Sequence, residues 1–267
     1  LAKLATEHDS DWSLEAATAK VFASELVWRA ADEMVQIAGG RGFVKPYPYE
    51  RFLRDTRINR IFEGANEILR LFIALNGIQT LSGHLKEVSA ALREPIKHLG
   101  LLSEVTAARV RSAFGATATL DVALDPRLAS HKEYFERHVA ELRSSAEHAV
   151  ITYRGEIVDR QLVVERLSNM AIELFATACV LSRTQSLVIG GDDARAEEAL
   201  MLCDIFCVDS GLRFRSARVA LAGGSGGAVD EKRKDVAAII RRDAGYGIPD
   251  SILNVTMPQT HKSTEQT

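Results

Sequence analysis

One carboxylate stands out in the stretch QIAGGRGFVKPYPYERFLRDTRINRIFEGANEILR, which runs from Gln36 to Arg70. Glu63 sits between Phe62 and Gly64. A glutamate at a turn, preceded by an aromatic ring and followed by a residue without a Cβ, is open to a flat ligand on its glycine side. The apolar neighbours Ile61 and Phe62 would desolvate it, the direction that suits a base acting on a carbon acid. The same residues also read as a solvated turn, because Gly after a charged residue is ordinary loop composition.

The other candidates have plainer readings. Arg51, Arg54, Arg57 and Arg60 interleave with Glu50 and Asp55, a pattern of structural ion pairs and subunit contacts, with a phosphate contact as the alternative. Cys203 and Cys207 stand one helical turn apart and could hold a metal in principle. Without a His or Cys at a suitable spacing they read as buried small side chains, and no metal is assigned. His131 and His138, in HKEYFERH, are expected on a solvated helix face, and no H-E-x-x-H signature occurs.

The elements that must position Glu63 follow from apolar periodicity. Leu14, Ala17, Val21, Ala23, Leu26, Val27, Ala30, Met34 and Val35 recur at helical spacing, so residues 13–35 form a helix that Gly39 and Gly40 end. Pro46 and Pro48 break the chain, and residues 49–55 restart it as a short helix with Phe52 facing inward. A further helix spans 66–81. Residues 82–125 are interrupted by Pro95, Gly100 and Gly115 and read as a connector. Lys and Arg among the apolar residues of 85–111 leave a membrane-surface helix open there, beside core packing or disorder. Two long helices pivot about Gly155 between 127 and 189, another spans 194–222, the GGSGG of 223–227 reads as a linker, and 229–243 is a last helix before a polar tail. No alternating pattern marks a strand, so the fold class is all-α.

Composition sets the frame. A chain of 267 residues, 46% hydrophobic and 26% charged, is globular material with no shortage of core. The net charge of -3 gives no general attraction for nucleic acid. Three cysteines without paired spacing point to a reducing compartment. No apolar run is expected to span a bilayer, and the opening residues look like neither a secretory nor a transit segment. The first residue is Leu, so the chain is expected to be part of a longer one.

QIAGGRGF, YPYERFLRDTRI and IFEGANEILRLF, in that order and at these separations, resemble the C-terminal helical domain of acyl-CoA dehydrogenases. GEIVDRQLVVERLSNMAIELFATACVLSR and MLCDIFCV resemble the additional helical region of the very-long-chain branch, which includes a relative active in respiratory complex I assembly. The resemblance implies a C-terminal helical bundle followed by an additional helical bundle. Residues 1–82 would be the C-terminal part of the catalytic helical domain, 83–126 a connector, 127–250 the appended domain and 251–267 a flexible tail. It implies FAD-dependent α,β-dehydrogenation of a long or very-long-chain acyl-CoA in β-oxidation, with Glu63 as the base and its backbone N–H at the thioester carbonyl. Phe62, Glu63 and Gly64 match the substrate-binding positions. Gln36, Ile37, Ala38, Gly39 and Gly40, and then Ala65, Asn66 and Glu67, match two FAD-contacting segments, the first usually serving the neighbouring subunit. The family usually has Thr where this chain has Ala65, so a capping hydroxyl is missing. Implied partners are electron-transfer flavoprotein as electron acceptor, a second copy in a homodimer, and a membrane surface. The implied location is the mitochondrial matrix or inner membrane in a eukaryote and the cytoplasm in a bacterium. The family's N-terminal and β domains are absent from the sequence, so the fragment alone is expected to be inactive. The alternative is a non-catalytic interaction or assembly module.

Overall fold

In a computed structural model, the chain is described over residues 11–93, 120, 122–222 and 224–243. Every element among these residues is helical, as the lack of any alternating pattern predicts. The order is α1 (Ser13–Ala38), α2 (Gly40–Phe43), α3 (Tyr49–Arg57) with a 3-10 turn at Ile58–Arg60, and α4 (Asn66–Arg93). A 3-10 turn at Pro126–Leu128 leads into α5 (Ala129–Tyr153), and a second at Arg154–Asp159 leads into α6 (Gln161–Ile189). Then come α7 (Asp193–Ala222) and α8 (Gly224–Asp243). Residues 1–222 form one compact unit and residues 223–267 a second.

Within the first unit α6 is the central element. It buries Val163, Val164, Leu167, Ser168, Met170, Ile172, Ala176, Thr177, Leu181 and Thr184, a run that samples more than one helix face and therefore needs neighbours on several sides. Its N-terminal half joins Ala74 and Ile78 of α4 and Ala149 of α5. Ile172 meets Ala17 and Val21 of α1 and Ile73 of α4. Its C-terminal half joins Leu128 with Leu200, Cys203 and Cys207 of α7. Because α4 and α6 share two of these clusters, residues 13–79 and 122–222 pack as one body.

The hinge from α1 into α2 depends on two glycines. Gly39 ends α1 at φ 57°, in the left-handed region where a Cβ is penalised. A Cβ on Gly42 would lie 2.4 Å from the Val35 carbonyl oxygen, so α2 can fold back on α1 only with glycine there.

The structure departs from the sequence reading at several places. α4 continues to Arg93 instead of ending near Leu81, because nothing before Pro95 removes a backbone donor or clashes with the preceding turn. The GGSGG segment is not a linker throughout: Gly224 to Gly227 form the first turn of α8. Phe52 does not face inward. It is exposed, and α3 turns Leu53 and Thr56 inward instead. His138 is buried against the rings of Tyr134 and Phe214, at centroid distances of 3.9 and 4.4 Å, and His131 is half-buried. Neither lies on a solvated face, because His131, Tyr134, Phe135, His138 and Leu142 share one side of α5 at helical spacing. Against the expectation of no membrane-spanning run, α6 is long and apolar enough to cross a bilayer, although its buried residues serve the clusters above. The possible membrane-surface helix over 85–111 and the polar tail lie outside the described side chains.

Candidate functional site

The loop from Ile61 to Ala65 joins the 3-10 turn after α3 to α4 and carries Glu63 at its apex. Glu63 has φ 52° and Gly64 φ 96°, two successive residues in the region that favours glycine. For a residue with a Cβ this geometry costs about 1–2 kcal/mol, so the surrounding contacts must hold it. Gly64 is constrained a second way, since a Cβ there would come within 3.0 Å of Leu69 Cδ2.

The holding contacts come from α1. Lys20 Nζ donates to the Gly64 carbonyl at 2.7 Å and to Asn66 Oδ1 at 2.7 Å. Asn66, the first residue of α4, is fully buried. Its Nδ2 donates to Ser24 Oγ at 2.9 Å and to Glu25 Oε1 at 3.3 Å. One turn further along α4, Arg70 forks onto Glu25, with NH1 2.7 Å from Oε1 and NH2 2.8 Å from Oε2, while Nε donates to Asn169 of α6 at 2.7 Å. Lys20 and Ser24 share one face of α1, with Glu25 at its border, and Asn66 and Arg70 share one face of α4. Three helices thus clamp the base of the Glu63 loop. This network replaces what Ala65 cannot give: α4 starts with a bond from Leu69 N–H to the Ala65 carbonyl at 2.9 Å and no capping hydroxyl.

Charge is arranged around the clamp. Burial pushes the Glu25 carboxyl up, but hydrogen bonding and charge from Arg70, with Asn66 and Arg60 adding, outweigh it and hold the group below its ordinary value. Burial lowers the Lys20 ammonium, against the opposing pull of Glu63, Glu67 and Glu25. Lys20 is therefore a cation held against the base of the Glu63 loop.

Glu63 itself is exposed, and so are Ile61 and Phe62 at 53% and 46%. The desolvation expected from these neighbours is not supplied by this chain, because both side chains point to solvent. Ile58, Phe52 and Ile68 are exposed as well.

The remaining candidates divide into two places. Ala65 and Glu67 flank the Glu63 loop, one half-buried and one exposed, and the Asn66 side chain is turned inward into the clamp. The second segment lies at the far end of α1. Gln36, Gly39 and Gly40 are exposed, Ile37 is 85% exposed and Ala38 is half-buried. From Lys20, under the Glu63 loop, to Gln36 is about 24 Å of helix at 1.5 Å per residue. The two segments do not meet within this chain. The arginine cluster is mostly engaged: Arg54 pairs with Glu50, Arg51 with Asp55 at 3.8 Å, and Arg57 lies over the Trp28 ring at 5.6 Å.

Lys20, Ser24, Glu25 and Arg70 were not singled out by the sequence. The available signal was a lysine, a serine and a glutamate beside the buried Ala17 and Val21 of α1, a placement in which polar groups are kept only when paired.

Comparison with known proteins gives two family matches along the chain. Residues 1–77 match the family described as acyl-CoA dehydrogenase, C-terminal domain, and residues 126–246 match the ACAD9/ACADV C-terminal domain. The human mitochondrial very long-chain specific acyl-CoA dehydrogenase is 38% identical over 215 residues, covering 79% of this chain and 32% of that protein. The probable acyl-CoA dehydrogenase FadE10 of Mycobacterium tuberculosis is 30% identical over 236 residues, covering 82% and 36%. The chain thus spans about a third of the length of these relatives. A crystal structure of an acyl-CoA dehydrogenase complexed with FAD from Bacillus anthracis superposes over 89% of this chain and 37% of its own, with a TM-score of 0.60 and 24% identity, which shows the shared fold.

Proposed function

The chain belongs to the acyl-CoA dehydrogenase family, and from that premise we propose that it carries the catalytic base of an FAD-dependent dehydrogenation of long or very-long-chain acyl-CoA, with Glu63 as that base. The observation that carries the reading is the backbone at Glu63. A carboxylate held at φ 52° and clamped through Lys20 and Asn66 is a costly conformation, of the kind that collects at functional sites.

In this reading the Glu63 carboxylate removes the α-proton of the thioester, and the backbone N–H of the same residue hydrogen-bonds the thioester carbonyl as negative charge develops on it. The lack of a Cβ at Gly64 leaves the approach to the carboxylate open, and Phe62 lies against the acyl chain. Lys20 holds the loop through its bond to the Gly64 carbonyl and keeps a positive charge beneath the carboxylate. The exposed Ile61 and Phe62 become a desolvating wall once the partner portions of the enzyme cover them.

The residues present also fit a flavin. A Cβ on Gly39 or Gly40 would meet nothing within 4 Å, so the backbone there is open to close approach by a cofactor. Gln36, Ile37, Ala38, Gly39 and Gly40 would hold FAD at the far end of α1, and Ala65 and Glu67 would contact it at the Glu63 loop, with Asn66 acting through the clamp. Their separation along α1 favours contact with two different flavins, one of them in a second copy of the protein, and hence a homodimer. FAD, when bound, supplies the acceptor for the hydride that leaves the β-carbon, and electron-transfer flavoprotein would then take the electrons. A mitochondrial or bacterial setting follows the relatives, and a membrane surface is a further partner of the reading.

The test is dehydrogenation of acyl-CoA thioesters by the flavin-loaded enzyme with its partner portions present, comparing wild type with Glu63→Gln. Loss of turnover by about 10²–10⁴-fold, with FAD retained, is the expected result. Undiminished turnover contradicts the reading, and no turnover by a wild type that holds FAD favours the non-catalytic assembly module.

A further inference from the structure

A second cluster of chemically capable side chains lies away from the Glu63 loop, where the start of α5 packs on α7. His131 of α5 and Cys203 and Cys207 of α7 bring one ligand atom each to within 4.8 Å of one another. Both cysteines are buried, at 0% and 2% exposure, and their sulfurs are 3.8 Å apart. A tetrahedral zinc ion with bonds of about 2.3 Å sets two thiolate sulfurs about 3.8 Å apart, so the pair already stands at that spacing.

The surroundings suit a thiolate-bound metal. Leu128, Leu181 and Leu200 pack around the sulfurs and keep water from them, which strengthens metal–thiolate attraction. The Thr184 hydroxyl hydrogen-bonds Cys203. His131 Nε2 lies 2.5 Å from Asp204 Oδ1, the carboxylate–histidine pairing that orients a metal-binding imidazole. Donation from Nε2 to Asp204 leaves Nδ1 without a proton, as the nitrogen a metal would take. The Asp204 side chain is 65% exposed and that of His131 16%, so a fourth position can be reached by water from their side.

We propose that His131, Cys203 and Cys207 form a zinc site, oriented by Asp204, that ties the first turn of α5 to the middle of α7. Two thiols and one imidazole favour a borderline-soft divalent ion over magnesium or calcium, which prefer oxygen ligands. Binding exchanges the two thiol protons for the metal, with no change of oxidation state. The site is independent of acyl-CoA chemistry and lies on the appended helices rather than in the Glu63 loop.

The test uses the whole chain, reduced and freed of metal, and titrated with Co²⁺ as a spectroscopic substitute for Zn²⁺. One equivalent should bind with thiolate-to-cobalt charge-transfer absorption and the visible bands of a tetrahedral ion. Zn²⁺ should bleach those bands and release protons at neutral pH. Cys203→Ser/Cys207→Ser should lose the bound equivalent, and Asp204→Asn, altered at an exposed position, should weaken Zn²⁺ binding by about 10–100-fold. A wild-type spectrum without sulfur charge transfer, or without proton release, overturns the site whether or not the double variant folds. So does equal Co²⁺ uptake by a folded double variant, which would mark adventitious binding.

Discussion

Replacing Glu63 by glycine should make the protein more stable while removing its proposed chemistry. The backbone at φ 52° costs a residue with a Cβ about 1–2 kcal/mol, which glycine would not incur. Against this, glycine loses about 0.5–1 kcal/mol more conformational freedom on folding. The expected net gain is roughly 0.5–1 kcal/mol. Glu63→Gln keeps the backbone and removes only an exposed charge near Lys20, so it should lie within about 0.5 kcal/mol of wild type. Glu63→Val, β-branched and poorly accommodated at positive φ, should lose about 1 kcal/mol or more. Urea unfolding followed by circular dichroism and by tryptophan fluorescence measures the series, provided the two signals coincide. The order Gly, then Gln with wild type, then Val is the expected outcome. Glycine no more stable than glutamine, or valine as stable as glutamine, would refute the claim that this loop stores strain.

The clamp and the helix packing yield further outcomes. Asn66→Ala leaves Lys20, Ser24 and Glu25 short of a buried partner and should cost about 2–4 kcal/mol in urea unfolding, since each unsatisfied buried group costs about 1–3 kcal/mol. Glu25 titrates below its ordinary value of 4.5 in the folded chain. Its contribution is therefore present above that value and is lost as pH falls through the lower, folded value. The stability difference between wild type and Glu25→Gln, measured from about pH 6 to about pH 3, should shrink across that window. Gly211→Ala would place a Cβ 2.0 Å from the Tyr134 hydroxyl oxygen, which also accepts from Arg215 at 2.5 Å. A loss of about 1–3 kcal/mol is expected from the forced separation of α5 and α7.

Helix content was legible because apolar residues recur at helical spacing in α1 and the breakers are unambiguous: Gly39, the prolines at 46 and 48, and Gly155. Composition misleads where position decides the environment. GGSGG suggested a linker from its glycines, yet part of it is helical, and HKEYFERH suggested a solvated face from its charges, although His131, Tyr134, His138 and Leu142 fall on one side of α5. Phe52 was assigned inward by its apolarity, whereas the contact face of α3 is set by Leu53 and Thr56. The candidate base was visible through its neighbours Phe62 and Gly64, and through the order of three motifs. Its geometry was not, because the Lys20–Gly64, Ser24–Asn66 and Glu25–Arg70 contacts join residues more than forty positions apart. A still longer separation in sequence hid His131 from Cys203 and Cys207, which only the crossing of α5 and α7 brings together.

The claim that Glu63 is a proton-abstracting base is tested most directly by isotope exchange at the carbon it would attack. Flavin-loaded protein is incubated with a saturated long-chain acyl-CoA in deuterium oxide without an external electron acceptor, and deuterium at the α-carbon of the recovered thioester is measured by mass spectrometry. Wild type should introduce deuterium, and Glu63→Gln, with acyl-CoA still bound, should do so about 10²–10⁴-fold more slowly. Equal rates of incorporation by the two proteins would contradict the account.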